Sequence, residues 1–226
     1  MSTTHPSKRI LVASPDIGDE EKEMLIKAVK ELLISGISPC VKEFENVFSS
    51  WLREYHKVIC VSHKLRDEVR DVLGIDCDVI PLPMKLELFK PENFEEQDST
   101  IVHVGSRPVK NPQIGIEALK VLRKRGYETK LVIVGPPTEL ATTEDVEYRF
   151  SVPEKEKIEL VCRAKALILP SGYEALPYVV LEAMACGTPV VVLSSAVPEE
   201  VVVNGFNGIR VSSFDPVDYA NALENI

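Results

Sequence analysis

Two glutamates eight positions apart, Glu174 and Glu182, have the residue type and spacing best suited to chemistry in this sequence. Glu182 is the only charged residue in the run YVVLEAMAC, which has the composition of a buried helix. A carboxylate in such a helix is unfavourable unless it meets a cation or a ligand. Vicinal sugar hydroxyls would be a suitable ligand, because a carboxylate accepts a hydrogen bond from each of them. A structural ion pair with Lys or Arg is the alternative.

The residues between these glutamates predict the N-terminus of a helix. Pro177 is of a type favoured at the first helical position, and the amides of Tyr178 and Val179 would then be free to donate to a ligand. Helical rise puts the two carboxylates about 12 Å apart, which spans a nucleotide sugar. That separation is too large for the paired carboxylates of a glycoside hydrolase, which flank a single bond.

A second segment, GSRPVK from Gly105 to Lys110, combines two cations with a predicted helix start. A diphosphate would bind well there, because the cations, the exposed amides and the helix dipole all favour an anion. The alternative is that Arg107 and Lys110 are solvated charges on a loop.

Short apolar runs alternate with helical segments from Lys57 onward, and this pattern predicts the elements that position both segments. Runs of Val, Ile and Leu are typical of parallel strands buried on both faces. The predicted fold class is therefore α/β, a doubly wound, Rossmann-like parallel sheet whose ligands lie beyond the carboxyl ends of the strands. The predicted strands cover residues 58–61, 78–80, 101–104, 130–134, 148–152, 166–169 and 189–193. The predicted helices among them cover residues 63–73, 111–126, 153–162 and 177–186.

The first 56 residues form a separate helical segment in this prediction, and residues 57–226 form the Rossmann-like domain. One amphipathic helix is predicted to start after Asp19, and another to run from Val41 to about Trp51. Each would have an apolar face to bury, against the sheet or against a partner. The polar stretch from Phe89 to Thr100 is predicted to be a linker.

The composition excludes several classes of function. A net charge of −9 over 226 residues does not suit an extended nucleic-acid surface, which needs clustered Lys and Arg. No apolar run approaches the roughly 20 residues that cross a bilayer. Residues 1–6 lack the apolar core of a secretory signal. We therefore expect a cytoplasmic protein with no transmembrane segment and no nucleic-acid partner.

The cysteines and acidic residues indicate neither a disulfide framework nor a metal site. The five cysteines are scattered and form no C-x-x-C pair, which predicts free thiols in a reducing cytosol. Asp76 and Asp78 form a short D-x-D pattern, but it precedes a predicted strand instead of ending one. No metal and no cofactor is expected.

The region around the two glutamates resembles the retaining glycosyltransferases of the GT-B fold, family 4, also called glycosyl transferases group 1. The resemblance covers about residues 57–226 and is carried above all by PSGYEALPYVVLEAMACGTPVV. Further support comes from VICVSHKLRDEV, VIPLPMKLELFKP, IVHVGSRPVKN and KLVIVG. The resemblance implies the C-terminal, donor-binding domain of an enzyme that transfers a sugar with retention. A nucleoside diphosphate sugar is the small-molecule partner that it implies.

The resemblance also implies roles for single residues. Glu182 would bind the ribose hydroxyls, and Glu174 would contact the donor sugar ring. Lys110 and Arg107 would hold the diphosphate, although the loop is shorter between its two cations than in the usual family pattern. The expected catalytic residues are Arg107, Lys110 and Glu174, and the expected donor-binding residues are Gly105, Val152 (beside the base), Tyr178, Val179 and Glu182.

A complete GT-B enzyme has an N-terminal acceptor-binding domain, whereas about 56 residues precede the matching region here. We therefore expect a truncated transferase that needs a partner chain for its acceptor. Two alternatives stay open: a homo-oligomer that completes the acceptor groove through the N-terminal helices, and a non-catalytic nucleotide-sugar-binding or assembly module. Residues 10–52 also resemble the N-terminus of DegT-type sugar aminotransferases, but no pyridoxal phosphate site follows them.

Overall fold

The computed structural model describes residues 10–12, 46, 49–50, 52–55, 57–89, 98–135, 143–150 and 152–226. These residues belong to two compact units, Met1–Leu82 and Pro83–Ile226. The described residues leave out most of the predicted N-terminal helices. They also leave out most of the stretch that resembles DegT-type aminotransferases.

The described part of the first unit contains a small parallel sheet and a helix. The elements are β1 (Ile10–Val12), β2 (Lys57–Cys60), α1 (His63–Leu73) and β3 (Asp78–Val79), and the strand order is β1-β2-β3. The predicted succession of strand and helix is confirmed. The Ser62 side chain accepts a hydrogen bond from the Leu65 amide at the start of α1, and Gly74 ends α1 in the left-handed conformation.

The first unit differs from the sequence prediction in two respects. Ile10–Val12 is a strand that pairs in parallel with β2, whereas the sequence predicts a helical segment over residues 1–56. The unit also extends to Leu82, so β2 and α1 lie with β1 and not with the domain that follows. The physical reason is that β1 and β3 satisfy backbone groups along both edges of β2. This pairing joins segments that are distant in sequence, so local patterns do not reveal it.

The second unit is a six-stranded parallel sheet flanked by helices, which confirms the predicted α/β class. Its strands are β4 (Asp98–Val104), β5 (Lys130–Val134), β6 (Val146–Arg149), β7 (Ala164–Leu169), β8 (Val190–Leu193) and β9 (Ile209–Val211). Its helices are α2 (Pro112–Lys124), α3 (Glu154–Arg163), α4 (Tyr178–Ala185) and α5 (Pro216–Glu224), with short 3₁₀ turns at Leu86–Leu88 and Pro108–Lys110.

The order of the strands identifies where a ligand would bind. The order is β6-β5-β4-β7-β8-β9, and neighbouring strands are parallel throughout. From β4 the chain runs outward to β5 and β6, and it then crosses back to β7 on the other side of β4. The strand order therefore reverses between β4 and β7, and open α/β sheets bind their ligands at such a switch point.

Helices cover both faces of this sheet, because successive residues of a strand point to opposite faces. Val102 and Leu167 belong to a core that includes buried residues of α3 and α4. Ile101 and Ile168, one position away on the same strands, belong to a core with α2 and α5. The central strands are thus apolar on both faces, which is why they form continuous runs in the sequence.

Cys162 near the end of α3 and Cys186 directly after α4 form a disulfide, with their Cα atoms 4.8 Å apart. The prediction of free thiols is wrong for this pair. The packing of α3 beside α4 brings together two cysteines whose separation of 24 residues matches no motif. Cys60 and Cys77 are buried free thiols.

Replacing both Cys162 and Cys186 by Ala is expected to lower the free energy of unfolding by about 3 kcal/mol. The reason is that the cross-link closes a loop and so reduces the conformational entropy of the unfolded chain. Urea unfolding followed by circular dichroism measures the change. A reducing agent should destabilise the wild-type protein and leave the double variant unaffected. Equal stability of the two proteins under oxidising conditions would contradict the expectation.

Candidate functional site

The candidate site lies at the carboxyl ends of β4 and β7, where two loops leave adjacent strands. We name residues 105–111 the cation loop and residues 170–177 the glutamate loop. The Asn111 side-chain amide donates to Pro170 O (3.0 Å), and the Gly172 amide donates to Val109 O (2.8 Å). These hydrogen bonds join the two loops at the switch point of the sheet.

Lys110 of the cation loop and Glu174 of the glutamate loop form a buried ion pair. Nζ of Lys110 lies 2.5 Å from Oε1 of Glu174, and the two side chains are 17% and 8% exposed. Lys110 is therefore not a solvated loop charge. The structure brings together two predicted site residues that are 64 positions apart in the chain. Removing either partner would leave an uncompensated charge in a buried environment, which is strongly unfavourable.

Gly105 makes room for the Lys110 side chain. Its φ of +109° is a conformation that other residues rarely adopt, and a Cβ added there would lie 2.9 Å from Cγ of Lys110. The Gly105 amide donates to Val134 O at the end of β5 (2.7 Å), which anchors the start of the cation loop. Arg107 is exposed, and the ion pairs among the described residues do not include it. The structure therefore brings Lys110, and not Arg107, to Glu174.

Glu182 of α4 forms a second buried ion pair, with Lys157 of α3. The Nζ–Oε1 distance is 2.8 Å, and the side chains of Lys157 and Glu182 are 23% and 9% exposed. Glu182 thus has the Lys partner that the alternative of an ion pair predicts. Sequence reasoning does not single out Lys157, because it stands in the charged run EKEK. One indication that Lys157 faces the core is its position four residues before the buried Val161, on the same face of α3.

The first turn of α4 presents two backbone amides that make no hydrogen bond to any described residue. Pro177 is the N-cap, so α4 begins one residue later than predicted. The Val180 amide donates to Pro177 O (3.0 Å), whereas the amides of Tyr178 and Val179 have no acceptor in the described part of the chain. Free amides at a helix N-terminus favour an anion. The Tyr178 hydroxyl donates to Pro83 O (2.7 Å).

Val152, the residue predicted to lie beside the base, is half-buried between β6 and α3. It packs against the core that contains residues of α3 and α4. Because β6 is parallel to the other strands, its carboxyl end lies at the same edge of the sheet as those of β4 and β7. Val152 therefore follows the same edge of the sheet as the cation loop and the glutamate loop.

His103 lies in β4 two residues before the cation loop, and sequence reasoning does not identify it. The ring is fully buried, with Nε2 2.6 Å from Gly105 O and Nδ1 3.1 Å from Ile168 O. Burial lowers the pKa of His103 to about 4, and the positive charge of Lys110 acts in the same direction. The ring is therefore neutral at pH 7 and donates through one nitrogen only.

The folded protein is expected to lose stability through His103 as the pH falls from 6.5 to about 4. In this range the unfolded chain binds a proton at an ordinary histidine, whereas the buried ring does not. The neutral His103 ring contributes about 3 kcal/mol to the free energy of unfolding above pH 6.5, and this contribution is lost by about pH 4. Thermal unfolding of the wild-type and His103→Leu proteins over this range tests it. The variant should show the smaller dependence on pH, and equal slopes would argue against this role.

The described residues form neither a membrane-spanning helix nor a metal cluster. No helix in the described ranges is long and apolar enough to cross a membrane. Those ranges also contain no group of three His, Cys, Asp or Glu side chains that could hold a metal ion. Asp78 of the D-x-D pattern forms an ion pair with Lys57 (2.6 Å).

Comparison with known protein families assigns the chain. The family described as "Glycosyl transferases group 1" matches residues 84–226, which is more than half of the chain. The chain belongs to this family. Both loops and both buried ion pairs lie inside the part that matches the group 1 glycosyl transferases.

The relatives of this group 1 domain are longer proteins. The D-inositol 3-phosphate glycosyltransferase of Frankia alni is 26% identical over 178 residues, which cover 66% of this chain and 44% of the relative. The glycogen synthase of Mycobacterium tuberculosis H37Rv is 27% identical over 207 residues, which cover 84% of this chain and 50% of the relative. The chain thus spans about half the length of these curated relatives.

Solved structures show the same fold as this group 1 domain. The Anabaena protein HepE, in complex with UDP and glucose, has a TM-score of 0.71 at 18% identity. The likeness covers 91% of this chain and 66% of HepE. At this identity the likeness supports the fold assignment alone.

Proposed function

We propose that this chain is the donor-binding half of a glycosyltransferase and transfers a sugar from a nucleoside diphosphate sugar with retention of configuration. The observation that carries the proposal is the buried Lys110–Glu174 pair at the switch point of the sheet. The bond that breaks joins the diphosphate to the sugar. Lys110 would bind the diphosphate, and the Glu174 carboxylate would accept hydrogen bonds from the sugar hydroxyls. Membership of family 4 and retention are what the sequence resemblance implies.

Stabilisation of the leaving diphosphate would be the main catalytic effect. Negative charge builds on the diphosphate as its bond to the sugar breaks, and preorganised donors near that charge lower the barrier. Lys110, Arg107 and the two amides that open α4 would supply these donors. The Lys110 ammonium has three N–H groups, so it can donate to a phosphate while it keeps Glu174.

The other predicted residues would hold the remainder of the donor. Glu174 would accept hydrogen bonds from the sugar ring, and Glu182 would accept them from the ribose. The backbone near Val152 would contact the base. UDP is the first nucleotide to test, because HepE of the same fold is in complex with UDP and glucose.

A polypeptide that binds the acceptor is a further part of the proposal, either a separate acceptor-binding chain or a second copy of this chain. A cytoplasmic location is part of the same proposal. Transfer or hydrolysis of UDP-glucose by the purified chain would exclude the alternative, a binding module without catalytic activity.

A thermal-shift screen with UDP, GDP and ADP, and with their glucose derivatives, tests the donor site. A nucleotide present at about 100 times its Kd should stabilise the folded protein by about 2.7 kcal/mol. For a chain of this size, that corresponds to a rise in Tm of about 5 to 10 °C. Uridine lacks the diphosphate and should produce a much smaller shift at the same concentration. Absence of a shift with every nucleoside diphosphate would overturn the proposal.

A further inference from the structure

An ion pair, a hydrogen bond and a disulfide join α3 to α4 and to the residues directly after it. Near the site, the Lys157 ammonium contacts the Glu182 carboxylate. Farther along the helices, the Thr188 hydroxyl donates to Val161 O (2.7 Å), next to the disulfide between the two helices. These links hold the helices in a fixed relative position. Lys157 is therefore held opposite Glu182 by two packed helices and not by a loop.

Lys157 is the partner of the buried Glu182 carboxylate. The Glu182 side chain is 9% exposed, and its neighbours Val179, Val180 and Ala183 on α4 are buried and apolar. Burial disfavours an ionised carboxylate, and a cation at hydrogen-bond distance favours it. Lys157 is the cation paired with Glu182, and the ion pairs of the described residues offer it no other.

The acidic groups around Lys157 have partners of their own or are exposed. Glu156, its neighbour on α3, accepts a hydrogen bond from Arg149 of β6 (2.9 Å). Glu154 and Glu159 on the same helix are exposed. Glu174 of the glutamate loop is paired with Lys110 of the cation loop. Within the described residues, Lys157 thus neutralises Glu182 and no other carboxylate.

We propose that Lys157 is a positioning residue for the nucleotide, which fixes the orientation of the Glu182 carboxylate. Lys157 contacts Oε1 of Glu182, and Oε2 makes no hydrogen bond to any described residue. Oε2 is therefore available to accept a ribose hydroxyl while Oε1 keeps its cation. This inference rests on the proposed donor site and adds to it a residue that the sequence resemblance does not include.

The variant Lys157→Met tests this role, because Met keeps much of the length of Lys without its charge. Isothermal titration measures the affinity for UDP and GDP, each beside its 2′,3′-dideoxy analogue, which lacks the ribose hydroxyls. In the wild-type protein the ribose hydroxyls should strengthen binding. In Lys157→Met the Glu182 carboxylate loses the contact that orients it, and the advantage of the hydroxyls should decrease about tenfold. Lys157→Arg should restore the wild-type behaviour.

The outcomes separate this inference from the proposed function. If the wild-type protein binds neither nucleotide, the proposed function fails and Lys157 has no nucleotide to position. If the wild-type protein binds but Lys157→Met keeps the full preference for the hydroxyls, the inference is overturned and the proposed function stands. Equal loss of affinity for a nucleotide and its dideoxy analogue would make Lys157 merely structural and overturn the inference as well. Lys157→Gln, which is also uncharged, serves for the same comparison if the Met variant does not fold.

Discussion

Replacing Lys110 by Met is expected to weaken the binding of a nucleoside diphosphate about 100-fold or more. The substitution removes the cation that we assign to the diphosphate. It also leaves Glu174, a carboxylate with a side chain 8% exposed, without its partner. An incoming diphosphate would then meet an uncompensated negative charge, so both changes oppose binding. Isothermal titration with UDP and GDP measures the loss, and wild-type affinity in the variant would contradict the assignment.

The same substitution is expected to lower the free energy of unfolding by about 3 kcal/mol, because it breaks a buried ion pair from one side. Adding Glu174→Gln should recover part of this loss, since the remaining side chain no longer carries a charge. Urea unfolding of both single variants and the double variant gives the coupling energy. Lys120→Met is the matched control, because it makes the same chemical change on a half-exposed side chain of α2.

Replacing Glu182 by Gln is expected to weaken the binding of UDP or GDP about 30-fold. Gln keeps the shape of the side chain but loses the charge that makes a carboxylate a strong acceptor of hydroxyl hydrogen bonds. The 2′,3′-dideoxy analogues lack those hydroxyls, so their affinity should change much less. Titration of both ligands into both proteins measures the difference.

Glu159→Gln is the matched control for this prediction, since it makes the same change at an exposed position of α3. It should leave the affinity for both kinds of ligand as in the wild-type protein. An equal loss for UDP and its dideoxy analogue in Glu182→Gln would mean that Glu182 does not contact the ribose.

Much of the sheet could be predicted from the sequence, because its central strands are continuous apolar runs. The strand predicted at residues 130–134 is observed as Lys130–Val134, and the strand predicted at 166–169 is part of Ala164–Leu169. The strand Ile209–Val211 was not predicted, since it is three residues long and Arg210 interrupts its apolar character. Short strands of this kind depend on pairing with a neighbour more than on their own residues.

The candidate site could be predicted only in part. Glu182 is recognisable because a charge is rare within an apolar helix. Lys157 is not, because charged residues precede it and its partner lies 25 positions later in the chain. The bond between Cys162 and Cys186 depends on tertiary packing in the same way. In both cases the missing information is which helices lie side by side, and the order of the strands determines that.

The strand order also governs when the site can form during folding. The two loops meet only after β4 has paired with β7, and this pairing joins Ile101 to Ala166. Contacts between such distant segments form slowly, because loop-closure entropy opposes them until the intervening elements have folded. During synthesis, β4, β5 and β6 leave the ribosome before the glutamate loop exists. A ligand of this site would therefore stabilise the finished sheet and leave the early, local steps of folding unaffected.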